Sequence, residues 1–64
     1  MDAVIFDEQS KRWINFTRDG DATFTTNRAE ASVVDPSQLN AYIRDYELVY
    51  LEENLVTEPA DTTA

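Results

Sequence analysis

The chain contains a single glycine, and it stands in Arg18-Asp19-Gly20-Asp21 between two runs that favour strands. Residues 12–17 (RWINFT) and 22–26 (ATFTT) are dense in β-branched and aromatic types. Asp-Gly between such runs is among the stronger short hairpin signals, because glycine takes the positive φ of a tight turn at no steric cost. A hairpin over Trp13 to Thr26 is therefore the element that any fold of this sequence must accommodate. If Ile14 and Phe16 face the core, then Trp13, Asn15 and Thr17 take the opposite face. On the return strand Ala22, Phe24 and Thr26 share one side.

The flanking segments build an α+β domain around this hairpin. Residues 3–6 (AVIF) are an apolar run that predicts a buried first strand, Ala3 to Phe6. Residues 7–11 (DEQSK) read as the turn that follows. Asp35 then opens an amphipathic helix: its carboxylate can cap, Pro36 occupies the first helical position, and Gln38 stands three residues beyond the cap. Leu39, Tyr42, Ile43 and Tyr46 follow at i, i+3, i+4 and i+7, a single apolar stripe. Continued through Tyr50, the same helix would carry Leu48, Leu51 and Leu55 on its other face and become apolar all round. A break near residues 45–47 and a strand at Leu48 to Leu51 avoid that. Residues 27–34 admit two readings. Ala29, Ala31 and Val33 alternate with polar residues as in a short edge strand, whereas Arg, Ala and Glu also suit a helical turn. The expected fold is a small antiparallel sheet with one helix, about residues 36–46, packed on one face. One domain spans residues 1–56, and a polar tail over 57–64 (TEPADTTA) is expected to be disordered.

Length sets the energetic frame. A chain of 64 residues buries only about 60% of the surface its unfolded form exposes. A core of that size rarely supplies more than roughly 3–5 kcal/mol. With neither Cys nor His, a disulfide is excluded and a structural zinc site nearly so.

The same missing residues argue against catalysis. The serines and threonines have no His to act as base, and Lys11, the one lysine, lies in a turn without the burial that lowers a lysine pKa. Glu52 and Glu53 are adjacent on a predicted strand, so they point to opposite faces rather than across a cleft. Asp19, Asp21 and Glu30 match positions 1, 3 and 12 of a calcium loop, but Phe24 occupies the position where that loop needs glycine. Asn15-Phe16-Thr17 matches a glycosylation sequon inside a predicted strand of a chain opening on MDAVIF, which lacks the features of a secretory signal. No catalytic residue, cofactor or metal is expected, and no run approaches the length of a membrane span. A cytoplasmic location is the simplest expectation.

Charge points elsewhere. Thirteen acids against five bases give a net charge of −8, which disfavours direct binding to nucleic acid or to anionic lipid. The charge is also lopsided. Residues 1–44 carry seven acids and five bases, net −2, whereas residues 45–64 carry six acids and no base, net −6. A solubilising surface is one reading of that run. The other is a contact face for a basic protein surface, because aligned like charges cost stability that a small domain has little of. On that reading Asp45, Glu47, Glu52 and Glu53 are the contact carboxylates, with Tyr50 and Trp13 as aromatic anchors. Trp13 is divided between core and interface.

In size, charge and lack of catalytic residues the chain is similar to the small acidic proteins that phages encode to disable host machinery, some of them mimics of DNA. That resemblance implies a non-enzymatic inhibitor or regulator in the host cytoplasm, docking on a basic, nucleic-acid-binding partner as a monomer or weak homo-oligomer. The alternative is a small assembly subunit of a larger complex or virion.

Overall fold

The Asp-Gly turn forms where the sequence places it. Gly20 takes φ +87°, and the Thr17 N–H donates to the Asp21 carbonyl at 2.8 Å. Strands β2 (Arg12–Phe16) and β3 (Ala22–Thr25) run back from it, with Ile14 opposite Phe24 and Trp13 opposite Thr25. The computed structural model describes residues 2–60. Over that span β1 (Ala3–Asp7) and β4 (Leu55–Pro59) complete a four-stranded antiparallel sheet of order β3-β2-β1-β4. One short helix, α1 (Leu39–Asp45), follows a 3₁₀ turn at Pro36–Gln38. The α+β architecture read from the sequence is the one observed.

The β1–β2 loop is organised by Asp7, a carboxylate only 2% exposed. It accepts from the Gln9 N–H at 3.0 Å and from the Ser10 hydroxyl at 2.9 Å, so it is buried but satisfied. Lys11 completes the loop in the left-handed region, φ +60°. Past the Phe6–Trp13 and Asp7–Arg12 pairs the two strands part, and residues 32–34 fill the opening. The Ser32 N–H donates to the Ile14 carbonyl at 3.1 Å, and its hydroxyl accepts from the Phe16 N–H at 2.8 Å. Val34 and Ala3 exchange both backbone bonds at 2.7 Å. Residues 27–34 are thus no edge strand. Asn27 caps a 3₁₀ turn at Arg28–Glu30, accepting from the Ala29 N–H, and the segment ends as a wedge inside the sheet. The alternation of Ala29, Ala31 and Val33 marks no buried face, because Val33 is exposed and Val34 is the core residue.

Asp35 caps the helical segment, accepting from the Ser37 N–H at 3.0 Å and the Ser37 hydroxyl at 2.9 Å. The helix ends in a Schellman motif. Glu47 takes φ +57°, its N–H donates to the Arg44 carbonyl at 3.3 Å, and the Leu48 N–H donates to the Ile43 carbonyl at 2.7 Å. The apolar contact that accompanies such a stop joins Leu48 to Ile43, both members of the core. That core gathers Ile5, Ile14, Val34, Ile43, Leu48 and Leu55 between α1 and one face of the sheet. Phe16 extends it, 5.0 Å from Tyr42 and 4.4 Å from Tyr46 between ring centroids.

The break after α1 falls where the apolar stripe requires it, but residues 48–51 are not the returning strand. Val49–Asn54 form a 3₁₀ helix, and the strand that rejoins the sheet is β4, beside β1. Three residues per turn place Leu48, Leu51 and Asn54 on one inward row, the period that made this stretch resemble a buried strand. The tail expected from residue 57 is corrected likewise. Thr57, Glu58 and Pro59 belong to β4, and residues 61–64 lie outside the described residues.

Two outcomes test this account. Glycine is the residue suited to the left-handed stop at Glu47, so Glu47→Gly is expected to raise stability by about 0.5–1 kcal/mol in denaturant unfolding; a loss would contradict the strain assignment. The second concerns Asp35, whose carboxyl is held below its usual 3.8 by the Ser37 backbone N–H and then by the Ser37 hydroxyl. A depressed folded-state pKa gives stability that is present above the unfolded value and lost as pH falls through the folded one. Asp35→Asn keeps an acceptor without the charge, so the wild-type advantage in thermal midpoint at neutral pH should disappear below the usual 3.8.

Candidate protein-docking surface

The 3₁₀ helix after Glu47 is fixed at three points. Leu48 is 2% exposed and holds its start in the core. Leu51 packs against the same core and donates its N–H to the Leu48 carbonyl at 2.9 Å. Asn54 ties the far end to the β1–β2 loop: its carbonyl accepts from the Glu8 N–H at 2.8 Å, and its amide donates to the Gln9 side chain at 3.0 Å. With the inward row spent on Leu48, Leu51 and Asn54, the other two rows face solvent. Val49 and Glu52 are eclipsed on one, and Tyr50 and Glu53 on the other.

The outward rows form a knuckle in which each row carries one apolar and then one acidic side chain. Val49 is 63% exposed and Tyr50 74% exposed. Glu52 and Glu53 lie on the same rows one turn on, and the exposed Asp45 and Glu47 precede them at the helix stop. Among the described residues no cation pairs with any of these four carboxylates. Five of the six residues expected to meet a partner (Asp45, Glu47, Tyr50, Glu52 and Glu53) therefore lie within one short exposed segment. The sequence did not single out Val49; the spacing of Leu48, Leu51 and Asn54, read as a three-residue period, points to it.

Trp13, the sixth, is elsewhere. It lies on the opposite face of the sheet, half-buried, with its ring 4.5 Å from Phe6 between centroids. The Arg28 guanidinium sits 5.2 Å above the indole. Arg28 also approaches the Glu58 carboxylate at 4.0 Å and donates to the Pro59 carbonyl. Glu58 thus leaves the unpaired acidic set, although it follows the last cation in sequence. The outer sheet face is a second small cluster, with Val4 buried beside Phe6 and Trp13 under the arginine.

Between the knuckle and the sheet lies an open hollow of about 210 Å³ lined by Asp7, Ser10, Arg12, Phe24, Tyr50 and Leu51. It places the knuckle beside β3, a neighbour the sequence could not supply. Among the described residues no group of three or more acids is placed to share a metal ion, and no helix is long and apolar enough to cross a membrane. No protein family, curated protein or solved structure matches the chain.

The packing of Trp13 generates a spectroscopic expectation. It is the only tryptophan, so Arg28→Ala, which uncovers the indole, should shift its emission to the red while far-ultraviolet circular dichroism stays unchanged. An unshifted spectrum would mean that the arginine does not shield the ring.

Proposed function

We propose that this chain is a non-enzymatic binding module that docks through its acidic knuckle on a basic surface of a partner protein, as an inhibitor or regulator. The observation that carries the reading is the exposure of Val49 and Tyr50 within a fringe of four unpaired carboxylates. A tyrosine gives rigid contact area and a hydroxyl at low entropic cost, which suits it to the centre of an interface. Carboxylates around it steer a cationic surface into place and pair best with arginine. The position of Glu47 adds support: it stands where glycine would be less strained, so an acid is kept at a conformational cost. In its sharper form the counterpart is a surface that otherwise holds nucleic-acid phosphates, since such a surface is already arranged for a row of negative charges.

The absence of His and Cys from the whole chain supports the non-enzymatic part.

Immobilised protein, wild type and the Glu52→Lys/Glu53→Lys double variant, tests the reading against a cell lysate. The wild type should retain proteins that salt releases as the screening length falls from about 10 Å at 0.1 M to about 3 Å at 1 M. The variant should lose them, with affinity for a purified partner lower by about a hundredfold or more. Equal retention by both proteins, or retention indifferent to salt, would remove the acidic knuckle as the contact.

A further inference from the structure

The two edges of the sheet are not equivalent. In an antiparallel ladder alternate residues of an edge strand direct their N–H and C=O away from the partner strand. On β4 the outward positions are Leu55, Thr57 and Pro59, because Asn54 and Ala60 bond inward to Glu8 and Asp2. That edge is nearly closed. The Leu55 N–H turns back to the Glu52 carbonyl, Pro59 has no N–H, and the Pro59 carbonyl accepts from Arg28. Only Thr57 keeps an outward donor. On β3 the bond from Thr17 to Asp21 sets the opposite phase: Thr23 and Thr25 bond to β2, while Ala22, Phe24 and Thr26 direct theirs outward. Among the described residues nothing meets the outward groups of Ala22 and Phe24.

We propose that the open edge of β3 receives an extended segment of the partner protein as a fifth strand, with apolar and cationic side chains in alternation. The inference rests on the acidic-knuckle reading and supplies the form of the partner. One row of guest side chains continues the face that carries Phe24, beside the hollow shared with Tyr50 and Leu51, and is apolar. The other continues the face of Thr23 and Thr25, where the Glu30 carboxylate accepts from the Thr25 hydroxyl at 2.6 Å. Asp19 and Asp21 flank the same strand at its turn. Cationic residues suit that row. Main-chain bonds to Ala22 and Phe24 supply affinity, and the two rows supply selectivity, as in strand addition generally. Charge decides against a second copy of this chain as the guest, because each copy brings −8 to the same edge.

Amide exchange by NMR tests this with a blocked peptide of about ten residues alternating Lys and Val, long enough for a strand of ordinary length. A block peptide with the same composition serves as control. The alternating peptide should slow exchange of the Ala22 and Phe24 amides by about tenfold or more, and the block peptide should not. Synthetic protein N-methylated at Phe24 keeps every side chain and should bind the alternating peptide about tenfold or more weakly. Slow exchange at Asn15, Thr23 and Thr25 reports that its sheet is intact. Thr26→Pro, which removes an outward donor at an exposed position, gives the same answer by another route. Absence of binding, or shifts confined to residues 45–53 with the Ala22 and Phe24 amides unchanged, would overturn the edge proposal. The second of these outcomes would leave the acidic knuckle standing. Protection of Ala22 and Phe24 that rises with protein concentration alone would assign the edge to a second copy. Full peptide affinity in the Glu52→Lys/Glu53→Lys variant, with loss on N-methylation, would keep the edge and discard the knuckle.

Discussion

The architecture hangs on one residue in an unfavourable conformation. Glu47 turns left-handed, ends α1, and sends the chain back toward the sheet. Had the helix continued, Leu48 and Leu55 would stand off the core that both now complete, and no fourth strand would reach β1. The apolar contact between Leu48 and Ile43, together with the two backbone bonds of the stop, outweighs the steric penalty at Glu47. The same turn brings the following acids out to solvent while their leucine neighbours go in. Fold and candidate surface are two consequences of one helix stop.

Much of this was legible from the residues. The lone glycine fixed the hairpin, Asp35 and Pro36 fixed the helix start, and the stripe from Leu39 to Tyr46 fixed the helix length, since a longer helix would have been apolar on every side. What misled was period. Leu48 and Leu51 stand three apart, which a short apolar run shares with a buried strand, and only tertiary contacts decide between them. β4 was hidden for a different reason. Its sequence, LVTEP, carries acid and proline, which read as a tail, yet Pro59 sits at an outward position of an edge strand where no ladder N–H is required. The Ser32–Val34 wedge was illegible because its register depends on the parting of β1 and β2, which no local pattern records. For the surface, the sequence grouped Asp45, Glu47, Tyr50, Glu52 and Glu53, which share one exposed segment, with Trp13. The outward face of Trp13 was legible from Ile14 and Phe16, but that the acidic segment packs on the other side of the sheet, and that Arg28 covers the indole, was not.

Arg28 illustrates how space redistributes charge that sequence seems to segregate. It comes from the 3₁₀ turn before the wedge, lies over the indole, and reaches the two last residues of β4. Glu58 and the indole at that end of the outer sheet face are thereby paired and shielded, and the acids after Arg44 that no cation meets among the described residues are those of the knuckle. A guanidinium suits that task better than an ammonium, since it can stack on an aromatic face while its N–H groups bond at the edge.

The thin core gives the proposed docking a thermodynamic side. A domain of this size holds roughly 3–5 kcal/mol from its interior and has no disulfide to add to it. A partner that binds only the folded form adds about 2.7 kcal/mol at a hundredfold excess over its dissociation constant. That is comparable with the whole intrinsic margin. An added strand would also satisfy the outward groups of Ala22 and Phe24 and cover Phe24 and Tyr50, and a cationic surface would relieve the repulsion among Asp45, Glu47, Glu52 and Glu53. On the proposed reading, the groups left unpaired in the isolated chain are those whose pairing would contribute most to its stability. The partner would then stand in for the staple that this short sequence lacks.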